Sequence, residues 1–263
     1  MGNLEGRVAI VFGAGAGTDG VTNGQAAALL YARAGAQVVA VDLDPDCAAR
    51  TASAITTEGG VALPITADAT DGAAVLSAVE AALERFGTID VLHNNVGVTV
   101  LGGPVELSYE DWRRAFEINV DTVFLTTKHV LPTMFERGRG AIVNVSSIAS
   151  LRDVGYPYPA YMASKAAVNQ VTVSLAVQYG DRGIRANAVA PGFMDTPMVR
   201  RQLHSQAASV DKLLETRCAA SPTGQMGTCW DVANASLFLA SDEAQYVNGV
   251  CLPVDGGLTM RCV

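Results

Sequence analysis

Two kinds of apolar patterning alternate along the chain. Short, nearly continuous runs rich in β-branched residues fall at Arg7–Phe12, Gln37–Val41, Val61–Ile65, Ile89–His93, Ala141–Val145, Ile184–Val189 and Val250–Val254. Between them, apolar positions recur with helical spacing at Gln25–Arg33, Asp46–Glu58, Gly72–Phe86, Tyr109–Arg137, Ala160–Tyr179 and Cys229–Ala240. Apolar residues at successive positions are what a strand buried on both faces requires, and strand alternating with helix marks a parallel sheet covered on both sides. The pattern predicts an α/β fold: a doubly wound, seven-stranded parallel sheet with helices on both faces. No linker, repeat or low-complexity tract interrupts it, so a single domain over residues 1–263 is expected. The stretch Phe193–Gly227 is the least regular and is expected to be a lid or substrate loop.

The 263 residues suit one α/β domain with a sizeable core. The 26 acidic residues outnumber the 18 Lys and Arg, for a net charge of −8. That balance argues against a long-range electrostatic grip on nucleic acid or an anionic membrane. No run reaches the roughly 18 apolar residues of a membrane span. The N-terminus carries charges and no signal-peptide core, so a cytoplasmic location is expected. Five cysteines without a C-x-x-C pair read as small buried hydrophobes in a reducing compartment. Asn144-Val-Ser146 and Asn234-Ala-Ser236 then fit the glycosylation sequon by chance.

The first strand runs into Gly13-Ala-Gly-Ala-Gly17-Thr-Asp-Gly20-Val-Thr-Asn-Gly24 and then a helix. A glycine-rich turn in that position lets backbone N–H groups approach a pyrophosphate at the helix N-terminus. The second strand ends at Asp42, where a carboxylate can accept hydrogen bonds from the adenosine ribose hydroxyls and repel a 2′-phosphate. No Lys or Arg lies between Gly13 and Gly24. The charge pattern therefore favours NAD over NADP.

Tyr161-Met-Ala-Ser-Lys165 falls within a predicted helix, so Tyr161 and Lys165 share one face about a turn apart. A nearby ammonium favours the phenolate and is expected to lower the tyrosine pKa, making Tyr161 a proton-exchanging group for an alcohol or carbonyl oxygen. Ser147 closes the fifth strand, at the sheet edge where ligands collect, and can hold the same oxygen.

Here the sequence resembles the short-chain dehydrogenase/reductase family over essentially its whole length. The matches are Leu4-Glu-Gly-Arg-Val, the glycine loop, Asp68-Ala69, Asn94-Asn95-Val96-Gly97, Asn119-Val120, Ser147, Tyr161-x-x-x-Lys165, Pro191-Gly192 with Thr196, and Val254-Asp255-Gly256-Gly257. The resemblance implies a Rossmann fold, with a cofactor half over about 1–145 and a catalytic and substrate half over about 146–263. It implies Tyr161 as general acid/base, Lys165 as its electrostatic partner on the nicotinamide ribose, Ser147 orienting the substrate oxygen, and Asn119 holding a water in a proton relay. It further implies Gly13, Gly17, Gly24, Asp42, Asp68, Ala69, Asn95, Gly97, Pro191, Gly192 and Thr196 against the cofactor, and a homotetramer; the sequence itself shows no metal-ligand cluster, so no metal is expected.

Gly13 and Gly24 stand eleven apart where the family has six, so five extra residues bulge within Thr18–Asn23. The middle glycine role is open among Gly15, Gly17 and Gly20. Phe12 and Val96 replace the usual Thr and Ala. The longer loop is similar to that of the enoyl-acyl-carrier reductases, whose Tyr–Lys spacing is wider, so that reading is set aside. The pocket is expected to draw on Val98–Gly103, Ile148–Tyr158 and Phe193–Gly227. Arg152 is a candidate for a substrate carboxylate, with solvation or pairing to Asp153 favoured over it. Arg200, Arg201 and His204 read as a solvated face, and His93 and His129 as packing or polar fillers. The leading reading is an NAD-dependent oxidoreductase for a secondary alcohol or ketone. Its alternatives are an NADP-dependent 3-oxoacyl reductase and a non-catalytic nucleotide sensor.

Overall fold

The computed structural model describes residues 3–17, 20–197, 199 and 210–261. Seven strands form one parallel sheet: β1 (Val8–Phe12), β2 (Gln37–Asp42), β3 (Ala62–Thr66), β4 (Val91–Asn94), β5 (Gly140–Val145), β6 (Ile184–Pro191) and β9 (Cys251–Val254). Their spatial order is β3-β2-β1-β4-β5-β6-β9, and every pairing is parallel. The chain reverses its winding direction between β1 and β4, which opens a crevice at the carboxyl ends of those strands.

Alternate side chains of each strand feed two cores. Ala9 and Val11 of β1 join α1 (Asn23–Arg33) and a late helix, Cys229–Ala240, on one face. Val8, Ile10 and Phe12 pack on the other face with α3 (Gly72–Phe86), α5 (Thr122–Arg137) and α6 (Pro159–Tyr179). Caps set the helix limits. Asp44 accepts from the N–H groups of Asp46 and Cys47 ahead of α2 (Pro45–Thr57), and Asp71 accepts from Ala73 ahead of α3. Gly87 ends α3 at φ +76°.

Two stretches depart from the pattern. The helix expected over Tyr109–Arg137 is α4 (Tyr109–Phe116) joined to α5 through a π-helical turn at Glu117–Asp121. The late stretch expected to be irregular contains α7 (Val210–Ala220), followed by α8, the Cys229–Ala240 helix. It also contributes β7 (Met194–Asp195), paired with β8 (Gly227–Thr228). Arg200, Arg201 and His204 lie outside the described residues.

Candidate active site

The carboxyl ends of the strands border a cleft of about 580 Å³, within the range of small-ligand sites. Its first wall is the turn after β1. The Gly15 N–H donates to Asp42 Oδ2 at 2.8 Å, and Thr22 Oγ1 donates to the Gly15 carbonyl at 2.7 Å. The same Thr22 oxygen accepts from the Gln25 N–H and caps α1. The Thr22 hydroxyl thus ties the start of α1 back to Gly15; Thr18 and Asp19, within the bulge expected over Thr18–Asn23, lie outside the described residues.

Gly13, Gly15, Thr22 and Asn23 line the cleft. Gly17 does not: it packs off the wall, near Gly20 and Pro197. Of the three glycines left open for the middle position, Gly15 lines the cleft, whereas Gly17 and Gly20 do not. Gly24 is a packing glycine; a Cβ there would strike the Gly13 carbonyl and come 2.7 Å from Asn95 Nδ2. Asn23 opens α1 on the cleft, bringing with it a helix N-terminus whose first N–H groups lack intrahelical partners.

Asp42, Leu43, Asp68 and Ala69 line the end beyond this loop. Asp42 also accepts from the Asp44 N–H through Oδ1. Asp68 Oδ1 accepts from the Thr70 hydroxyl at 2.7 Å and its N–H at 2.8 Å, and these bonds hold the Asp68 carboxyl below the usual range. On the floor, Asn95 Nδ2 donates to the Gly13 carbonyl at 2.9 Å. Gly97 is pressed against the deeper layer: a Cβ would stand 3.0 Å from Lys165 Nζ and 3.1 Å from Asn119 Oδ1. Pro191, Gly192 and Thr196 form the opposite wall. Gly192 backs onto Asp255, where a Cβ would come within 2.7 Å of another.

Ser147, Tyr161 and Lys165 meet between these walls. The Tyr161 side chain shares the cleft with Ser147 and Thr99, whose hydroxyls act to lower its pKa; Thr99 was not singled out from the sequence although its segment was. The Ser147 hydroxyl oxygen accepts from the Ala149 N–H, leaving its proton to donate. Lys165, 4% exposed, donates through Nζ to the Val145 carbonyl at 2.9 Å. Burial lowers the Lys165 pKa to about 8. Burial also raises that of Tyr161, outweighing the lowering influence of the Ser147 and Thr99 hydroxyls, so the lowered tyrosine pKa expected from the neighbouring ammonium is not what this environment produces.

Asn119 lies behind the cleft, fully buried within the π-helical turn. Its Nδ2 donates to the Val98 carbonyl and to Ser164 Oγ, and its Oδ1 accepts from the Val98 N–H at 2.7 Å. The side chain therefore clamps the Val98 segment over Lys165.

Beyond Tyr161 the cleft is aromatic. Tyr158 meets Tyr161 edge-on at 5.4 Å, and Tyr156 stacks on Tyr158 at 5.7 Å. The cation here is Arg217 of α7, not Arg152. Arg152 is exposed and donates to the carbonyl of its neighbour Leu151. Arg217 escaped the sequence reading because α7 has no clear apolar stripe to mark it as a helix. His93 is a buried polar filler bonded to the Tyr31 hydroxyl, its pKa lowered to about 3 by burial. Among the described residues no group of His, Cys, Asp or Glu is arranged to hold a metal, and no helix is long and apolar enough to cross a membrane.

A family model described as enoyl-(acyl carrier protein) reductase matches residues 19–259. The chain is 37% identical to 2,5-dichloro-2,5-cyclohexadiene-1,4-diol dehydrogenase of Sphingobium indicum, over 97% of this chain and 96% of that one. It is 42% identical to cis-4-hydroxycyclohexanecarboxylate dehydrogenase of Sinomonas cyclohexanicum, over 96% of each. A crystal structure assigned to the short-chain dehydrogenase/reductases, from Burkholderia xenovorans, superposes with a TM-score of 0.97 at 42% identity over the whole of both chains. The chain belongs to the short-chain dehydrogenase/reductase family, and it is an oxidoreductase of that class.

Proposed function

We propose that the protein is an NAD(H)-dependent oxidoreductase that interconverts a secondary alcohol and its ketone, with Tyr161 as general acid/base. The observation that carries this reading is the convergence of the Tyr161, Ser147 and Thr99 hydroxyls above the buried Lys165. The cleft suits a nicotinamide dinucleotide. Gly13 lies so close to the floor that a Cβ would meet the Val96 nitrogen at 3.0 Å, and the N-terminus of α1 faces the same space. When bound, the nicotinamide accepts or supplies the hydride.

The chain's own groups do the rest. Ser147 donates its free proton to the substrate oxygen and fixes it beside Tyr161. Tyr161, kept protonated by burial, delivers its proton to a ketone oxygen and takes one back from an alcohol. Lys165 stabilises the phenolate formed in the first direction and binds the nicotinamide ribose. Asn119, in the π-helical turn behind Lys165, is assigned the water of the proton relay. Asp42 accepts from the adenosine ribose hydroxyls and repels a 2′-phosphate, which favours NAD. The relatives named for ring alcohols favour a ring-borne hydroxyl as the reacting group. The exposed Phe124 of α5 and Val177 of α6 support association with further copies of the chain, which we take to be a homotetramer.

The test is an assay of the purified protein with NAD and, separately, NADP against secondary alcohols, diols and hydroxyacyl thioesters, followed at the reduced-nicotinamide absorbance. Turnover with NAD is expected, abolished in Tyr161→Phe while NAD binding survives. Undiminished activity in that variant removes Tyr161 from the chemistry, and turnover chiefly with NADP removes the Asp42 argument.

A further inference from the structure

Arg217 is a half-buried cation on the substrate side of the cleft, and no carboxylate among the described residues pairs with it. Its Nε and Nη2 both donate to the Tyr156 hydroxyl, at 3.2 and 2.9 Å. The guanidinium lies 5.4 Å from the Tyr156 ring centre and 4.9 Å from that of Phe193. Aromatic faces offset part of the cost of holding a charge away from water, yet such a charge is ordinarily met by an anion.

Two donors are spent on Tyr156, so the remaining N–H groups of Nη1 and Nη2 form a free fork. That edge matches the two oxygens of a carboxylate. The Tyr156 hydroxyl accepts both arginine bonds and keeps its own proton to donate to the same anion. From there, ring contacts of 5.7 and 5.4 Å lead through Tyr158 to Tyr161, so the fork and the proton-exchanging hydroxyl border the same cleft.

We propose that Arg217 and Tyr156 form an anion clamp, and that the physiological substrate is a secondary alcohol or ketone carrying a carboxylate at its far end. The proposal rests on the reading of Tyr161 as the proton-exchanging end of the cleft.

The clamp is tested by calorimetric titration of cyclohexanecarboxylate, which has the anion and no reacting hydroxyl, into the NADH-saturated protein. Saturable binding is expected in the wild type, at least about 30-fold weaker in Arg217→Gln, the loss of a charge-assisted contact. Arg217→Lys, which keeps the charge and loses the fork, should fall between. Thermal unfolding confirms that each variant is folded. In turnover, the ratio of kcat/KM for cis-4-hydroxycyclohexanecarboxylate over cyclohexanol should fall by the same factor in Arg217→Gln. No binding in the wild type, equal binding in Arg217→Gln, or a loss of NADH affinity in that variant overturns the clamp. Carboxylate binding that depends on Arg217, without turnover of any alcohol, sinks the secondary-alcohol reading of Tyr161 and leaves the clamp standing. Turnover of cyclohexanol with no preference for the acid does the reverse.

Discussion

The ammonium of Lys165 stands 6.0 Å from the centre of the Tyr161 ring, one helical turn away on α6, and its hydrogen bond goes to the Val145 carbonyl rather than to the phenol. Burial consequently governs both groups, pushing the tyrosine up and the lysine down to about 8 from 10.5. Between these two lysine values the unfolded chain binds more protons than the folded one, so this group makes stability rise with pH. Below pH 8 its desolvation cost is fully present.

Comparison of wild type with Lys165→Met isolates that cost. As pH rises from 8 to 10, the wild type should gain stability relative to the variant, by at most about 1.4 kcal/mol per pH unit. The lost bond to Val145 shifts the variant by a constant and leaves the slope intact. Above pH 10 the raised tyrosine pKa acts in the opposite sense, so the window closes there. Thermal midpoints of both proteins across this range are the measurement; parallel curves would mean that Lys165 is not desolvated.

Asp42 has a double task, accepting the Gly15 and Asp44 amides while facing the cleft. Asp42→Ser removes the negative charge and keeps one hydroxyl for the loop. We expect kcat/KM with NAD to fall about 10- to 100-fold, in line with the loss of a charge-assisted hydrogen bond. NADP should be used better than by the wild type. An unchanged NAD/NADP ratio would mean that the carboxylate serves the Gly15 turn and not the cofactor.

How much of this was legible in the sequence follows from the range of the forces involved. The α3 limits, Gly72 and Phe86, were readable because Asp71 and Gly87 act on their own neighbours. The strands were readable because two cores demand apolar residues at every position of Val8–Phe12. The Tyr161–Lys165 proximity is a property of the helix itself. By contrast, which of Gly15, Gly17 and Gly20 faces the cleft was open: Gly15 does so, and it is bonded to Thr22 seven residues away, a contact no spacing rule encodes. The direction of the Tyr161 shift is a matter of burial, which arises only when Tyr158, Thr99 and Ser147 converge on it. Arg217 reaches the cleft through a tertiary contact with Tyr156, 61 positions away.

Two glycine substitutions separate packing from propensity. Gly24→Ala would drive a methyl into the Gly13 carbonyl and to 2.7 Å from Asn95 Nδ2, both held in place by the floor of the cleft. We expect it to lose cofactor binding and at least about 2 kcal/mol of stability, as overpacking against backbone does. Gly72→Ala, at the start of α3, meets Leu125 Cδ2 at 3.4 Å and His129 Nε2 at 4.0 Å, both ordinary contacts. It should be neutral or stabilise by up to about 1 kcal/mol through helix propensity. Denaturant midpoints and NAD titration of the two variants test the contrast, and equal behaviour would refute the close approach at Gly24.

Ser147 is held from behind by a chain of polar groups. Ser150 Oγ donates to the Ser147 carbonyl at 2.6 Å and accepts from Asn169 Nδ2 at 2.8 Å, one turn beyond Lys165 on α6. The helix that carries Tyr161 and Lys165 thus also fixes the backbone of Ser147, tying the substrate-orienting hydroxyl to the proton-exchanging one. Ser150→Ala breaks the tie without touching the cleft wall. Because small misplacements of a reacting group are costly, kcat should drop about tenfold while the NAD dissociation constant stays within twofold. A purely structural role for Ser150 would lower the unfolding midpoint and leave kcat unchanged, so steady-state kinetics and thermal unfolding on the same preparation separate the two. Asn169→Ala should shift kcat in the same direction but less, since Ser150 would keep its bond to Ser147 and the donor Ser146 Oγ, losing one of two donors.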